Sequence, residues 1–277
     1  MISSLLEYQF LQNAVIAGIL ASIVCGIIGV IIVEKKLVMM SGGIAHTSYG
    51  GVGLGFLLKF EPIIGAFIFS LLAALGIGYI KRNNIVRSDV IIGLFWSFGM
   101  ALGVIFITMM PGYPPDLNSY LFGNILSVTR ANLYLMLVAT LIVVILIVSL
   151  FDYWKAYLFD DEFATIIGVK TAFLEYLLMI LIAITVVVLI RVVGIILVIA
   201  LLTAPAATAG MLTNNLKKRM IYAIIFGNLF SFIGIWLSYE LNISTGAAIV
   251  VISTMSFFLI YIGRFIFKKH DQKLFNI

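Results

Sequence analysis

Apolar residues run along this chain in blocks of about twenty, separated by short polar or basic clusters, and that rhythm sets the expected fold. A helix needs about 20 mostly apolar residues to cross the hydrocarbon core of a bilayer. The stretches that meet or approach this are 13–33, a shorter glycine-rich 44–58, 63–80, 90–110, 131–151, 173–190, 194–212, 221–239 and 245–267. Glu34-Lys35-Lys36, Lys59-Phe60-Glu61-Pro62, Lys81-Arg82-Asn83-Asn84 and Pro111-Gly112-Tyr113-Pro114-Pro115 close the first four, the last because prolines end a helix. Residues 116–130 are too polar for a span and too apolar for a free loop, which predicts a partly embedded connector. Residues 152–171 set Phe163, Ala164, Ile166 and Ile167 beside Asp152, Lys155, Asp160, Asp161, Glu162 and Lys170. That mixture suits one short amphipathic helix lying outside the bilayer. The expected fold is an all-α polytopic membrane bundle forming a single transmembrane domain over 1–277. It has about nine spans, or eight to ten if 44–58 or 116–130 is reassigned.

Composition agrees, with 63% hydrophobic and 10% charged residues and a mean hydropathy of +1.21, against about 25% charged in a soluble domain. The formal net charge of +5 would indicate a nucleic-acid surface in a soluble protein, but here the basic residues occupy short loops and act as topology signals. Basic residues at 34–36, 81–87, 155–170, 217–219 and 268–273 fall on one side of a nine-span bundle. The other side offers only Lys59, Arg130 and Arg191. This places the N-terminus outside and the C-terminus in the cytoplasm. No basic segment followed by a small-residue cleavage site opens the chain, so no removable signal peptide is expected. Cys25 is the single cysteine and has no intrachain disulfide partner; His270 sits in the charged tail, where a lone solvated histidine ordinarily has no role. No internal repeat is evident.

Polar side chains inside spans are costly unless satisfied, so they mark candidate chemistry. They are His46 with Thr47, Ser48 and Tyr49; Trp96 and Ser97; Thr185; Thr203 and Thr208 around Pro205; Asn228 and Ser231; and Ser253 with Thr254. No Asp or Glu lies deep in a span, which removes the usual parts of a proton relay or an intramembrane hydrolase. No G-x-x-x-x-G-K-[ST] loop is present, so ATP energy would have to come from another chain. His46 is embedded among Gly42, Gly43, Gly50, Gly51, Gly53 and Gly55. Glycines of this kind ordinarily serve close helix packing, whereas a neutral imidazole is a ready metal ligand.

Five stretches resemble the membrane permeases of the zinc and manganese ATP-binding-cassette importers, a family similar in architecture to the vitamin B12 and siderophore importers. SGGIAHTSYGGVGLG (41–55) is similar to the family's G-D-x-x-x-H-x-x-x-x-G segment, and SYLFGNILSVT (119–129) resembles its Y-L-F-G connector. FDDEFATIIGVKT (159–171) resembles the cytoplasmic segment that docks on the ATPase. RVVGIILVIALLTAPAATA (191–209) is close to V-G-x-L-L-V-x-A-L-L-x-x-P-A-A-T-A, the most specific match, and NISTGAAIVV (242–251) resembles the start of the terminal helix.

The resemblance implies a homodimer of permeases with a path between them, two cytoplasmic ATPase subunits, and an extracytoplasmic metal-binding protein in the plasma membrane of a prokaryotic cell. No resident cofactor is implied; the metal is cargo. His46 takes the place of the path-lining histidine, with Ser48, Tyr49 and Ser97 as further path contacts. Asp160, Asp161, Glu162, Phe163, Ala164 and Gly168 form the docking segment. Gly43 is read as standing where the family has an aspartate. An imidazole without a carboxylate favours zinc over manganese or iron. A chelated-metal permease, and a carrier or channel working without an ATPase, remain alternatives.

Overall fold

The structure is a computed structural model that describes residues 7–83, 87–112, 123 and 125–274, with side chains through Ile266. Among the described residues the elements are helices α1 (Gln9–Glu34), α2 (Val38–Leu58), α3 (Pro62–Arg82), α4 (Ser88–Thr108), α5 (Arg130–Ser149), α6 (Phe151–Phe159), α7 (Asp161–Ile166), α8 (Thr171–Val193), α9 (Ile195–Leu212), α10 (Leu216–Leu241) and α11 (Thr245–Leu274). A single 3-10 turn, Ile125–Ser127, precedes α5. The long helices bond their backbones largely within themselves, as a chain in hydrocarbon must; Pro205 inside α9 supplies no amide to its own helix.

Among the described residues eight helices are long and apolar enough to span a membrane, and the long helix outside that set is α2. It also begins at Val38, six residues before the expected 44. Ser41, Gly42 and Gly43 lower its hydropathy yet are buried, because α2 is lined by α3 and α4 rather than by lipid. Glycines permit that close approach. A methyl group at Gly53 would stand 2.7 Å from the Gly103 carbonyl oxygen, and one at Gly50 would stand 2.8 Å from that of Gly99. Gly51 and Gly65 face each other backbone to backbone. Helices α2, α3 and α4 therefore form one close-packed block.

A second block surrounds α1, which packs on α9, α10 and α5, while α11 closes over α9 and α10. Here too small residues set the spacing: Gly29 lies against the Leu202 carbonyl, Gly26 against the Ile224 backbone and Gly234 against Ile249. Helix α8 joins the two blocks through α3 and α2. Several buried hydroxyls bond within their own helices, Ser22 donating to Gly18 O and Thr140 to Met136 O at 2.7 Å each, with Ser22 also 3.3 Å from the Ser231 hydroxyl, whereas the hydroxyls of Ser70 and Thr185 are buried without a partner.

Ion pairs sort the helix ends into two sets. Lys35 meets Asp161, Lys81 and Arg82 share Glu175, and Arg219 pairs with Glu34. At the other end Arg191 meets Glu61 at 2.7 Å and Asn13 donates to Val128 O. Lys35, Lys81, Arg82 and Arg219, which the charge pattern assigned to one side, thus all take part in ion pairs of one set.

Residues 152–171 do not form one amphipathic helix. Asp160 interrupts it, its carboxylate accepting from the Glu162 and Phe163 amides at 3.0 Å each, so that it ends α6 and caps α7. Most of the 116–130 connector lies outside the described residues. Its Gly123, at φ +64°, is seated on the Val193–Gly194 backbone at the α8–α9 turn.

Candidate functional site

His46 lies in the middle of α2 and is only partly buried. Its ring stacks on Trp96 of α4, with centroids 4.0 Å apart and planes 11° from parallel. Its Nδ1 is buried and has no hydrogen-bond partner. Thr47 ties the two helices here, its hydroxyl proton shared between Gly43 O on its own helix at 2.7 Å and Phe95 O on α4 at 2.9 Å. Gly99 packs against the Thr47 backbone immediately below.

The neighbouring polar residues are not gathered around the imidazole. Ser48 is buried and donates to Ala45 O at 2.6 Å, and Tyr49 packs against Gly103. Ser97 lies on the exposed side of α4, its hydroxyl returned to Gly93 O at 2.7 Å. No group of three or more His, Cys, Asp or Glu able to hold a metal ion occurs among the described residues. What this stretch offers a cation is one imidazole edge beside an aromatic face.

The spacing G-D-x-x-x-H, counted back from His46, assigns the missing aspartate to Gly42 and not to Gly43. The structure separates the two positions. A methyl group at Gly43 would press 2.7 Å from the Ile92 side chain. One at Gly42, a helical turn before His46 and on the same face, would rest 3.4 Å from Trp96 and 3.8 Å from Ile199, which is ordinary contact. Trp96 therefore covers both the His46 ring and the ground next to Gly42. Its pairing with His46 carries no sequence signal, since the two residues are fifty positions apart on different helices.

The second cluster lies at the basic end. Trp154 and Tyr157 bury one face of α6, while Ala164 seats α7 inward. Ala164 is fully buried and so belongs to the seating of α7 rather than to its outer face. The outer face of α7 carries Phe163 (53% exposed) and Ile166 (82%), flanked by Phe159 at the end of α6 (90%) and Ile167 just past α7 (55%), beside the exposed carboxylates of Asp160, Asp161 and Glu162. Gly168, at φ +87°, turns the chain into α8 with open space around it. Only a glycine enters that conformation without strain. Burial pushes the Tyr157 phenol up and the Lys35 ammonium down, the nearby Asp161 opposing the shift at Lys35.

The profile of the ABC 3 transport family matches residues 7–264. The chain belongs to the ABC 3 transport family. Its permeases are transport subunits that work with a separate ATPase. The uncharacterized membrane protein slr2045 of Synechocystis is 42% identical, over 92% of this chain and 90% of its own length. The manganese import system permease protein ScaB of Streptococcus parasanguinis is 39% identical over 94% and 92%. A probable iron transport system membrane protein of Haemophilus influenzae is 35% identical over 92% and 93%. Among solved structures, the PsaBC complex of Streptococcus pneumoniae with Fab superposes with a TM-score of 0.84 at 36% identity, covering 94% of each chain. An inward-facing metal-chelate type ABC transporter, 15% identical, shares the fold with a TM-score of 0.78 over 95% of this chain and 89% of its own.

Proposed function

We propose that this chain is the permease of an importer that passes a divalent metal ion into the cytoplasm, with manganese or iron ahead of zinc. The observation that carries the reading is the 39% identity to a manganese import permease across 94% of the chain. The sequence alone favoured zinc because His46 stands without a carboxylate; the named relatives move the weight to manganese and iron. Two copies of the permease would frame the path. Two ATPase subunits would bind the basic end, and an extracytoplasmic binding protein would supply the ion. The basic end then faces the cytoplasm, in keeping with the positive-inside rule.

A single imidazole edge suits this task. Manganese is a hard ion that prefers oxygen ligands, so at His46 it keeps most of its water and is held weakly. An importer must release what it receives, and weak, partly hydrated contact permits passage without trapping. Selection then rests mainly with the binding protein. The exposed apolar face of α7, rimmed by Asp160, Asp161 and Glu162, is the ATPase contact, since large apolar side chains exposed outside the spans call for a covering partner.

Two measurements test this. Cells deprived of the chain should lose high-affinity manganese or iron accumulation, and normal accumulation of manganese, iron and zinc alike would refute the reading. His46→Ala should lower manganese uptake by about tenfold, the equivalent of about 1.4 kcal/mol, with ATPase association intact. Unchanged uptake would reduce His46 to a packing residue.

A further inference from the structure

The turn between α1 and α2 makes a contact that the docking role of α7 leaves unexplained. Lys35 is largely buried, with 15% of its side chain exposed. Its ammonium sits 3.8 Å from the centre of the Tyr157 ring on α6 and 3.6 Å from the Asp161 carboxylate on α7. Tyr157 is itself buried, and Trp154 beside it is fully enclosed. A cation held between an aromatic face and a carboxylate is a directional contact, stronger when partly desolvated. Adjacent Glu34 binds Arg219 of α10.

The turn is also stiff. The Lys35 amide donates to Ile31 O at 3.0 Å and the Leu37 amide to Ile32 O at 2.8 Å, while Leu37 is buried. Val38 follows directly and begins α2. A displacement of α6–α7 is thus handed through Lys35 to the start of the helix that carries His46. Because α2 is locked to α3 and α4 by glycine contacts and by Thr47, that block would move as a unit.

We infer that Lys35 is the coupling residue of the permease: a positioning residue that joins the ATPase-docking segment to the α2–α4 block. The inference rests on the reading of α7 as the ATPase contact. It adds the α1–α2 turn to the continuous chain into α5 and α8 as a route by which nucleotide-driven motion reaches His46.

The test uses the permease copurified with its cassette ATPase and reconstituted in proteoliposomes, with manganese, iron and zinc each supplied through the binding protein. Lys35→Gln and Lys35→Met, the latter keeping the aliphatic stem, should retain wild-type ATPase stoichiometry and basal hydrolysis. Both should raise ATP consumed per ion at least fivefold. Lys35→Arg should restore most of the coupling, and Tyr157→Phe, which keeps the ring, should behave as wild type. A wild-type ratio of ATP to ion in both Lys35→Gln and Lys35→Met overturns the inference. So does failure of both to assemble, which would mark Lys35 as a folding residue. Phe163→Asp separates the two levels: if it leaves ATPase binding intact, the docking assignment fails whatever Lys35 does.

Discussion

Replacing Gly51 with valine should unfold or severely destabilise the bundle. Gly51 and Gly65 meet backbone to backbone, and a methyl group built on either enters the other's carbonyl. No side chain stands between them to rotate away, so α2 and α3 would have to separate along the interface that buries Val52 and Ala66. Overpacking of this kind costs about 3 kcal/mol or more, a large share of the roughly 5–15 kcal/mol that holds a folded domain together. The thermal midpoint of the purified permease in detergent should fall sharply, or no folded protein should be recovered. Gly93→Ala is the matched control. Nothing lies within 4 Å of the added methyl there, and exchanging a helical glycine for alanine adds about 0.5–1 kcal/mol. A Gly51→Val protein with an unchanged midpoint would refute the close-packed α2–α3 seam.

Phe163→Asp should leave the fold intact and abolish ATPase association. Phe163 is half exposed on a short helix outside the spans, so its replacement removes little internal packing. In the complex, its ring would be an apolar anchor, and a carboxylate buried in the same cleft has no partner. Loss of such an anchor is worth about 2 kcal/mol or more, near a thirtyfold weakening of binding. Copurification of the ATPase in a pull-down from membranes measures it; undiminished recovery would mean that α7 faces something else.

Much of this architecture is legible from the spacing of apolar residues, because in a bilayer each span must satisfy its own backbone and advertise itself to lipid. Helix α9 starts at Ile195, one residue from its expected bound, and α3 at Pro62, again one residue away. Helix α2 shows where that logic weakens. Its lining is protein, so glycine and serine replace large apolar residues, and hydropathy underreports both its length and its place. The break at Asp160 was hidden for a different reason, since an aspartate on an amphipathic face and an aspartate capping a new helix look alike in one dimension.

The candidate site was less readable. His46 stands out as a lone histidine in an apolar run, but its Trp96 partner and the Lys35–Tyr157–Asp161 contact join positions far apart in sequence, where no periodicity points. The cargo was the least readable. An imidazole without a neighbouring carboxylate argues for a borderline metal by ligand chemistry alone, whereas relatives of this chain are named for manganese and iron. Around His46 the described residues offer no group of three or more His, Cys, Asp or Glu, so little here could choose among ions.

The measurement that bears most directly on this account is uptake by the permease reconstituted with its ATPase and binding protein, with manganese, iron and zinc in competition. The expected result is accumulation that requires ATP and is suppressed most strongly by unlabelled manganese or iron. Accumulation that proceeds without ATP, or the absence of any divalent-metal uptake, would contradict it.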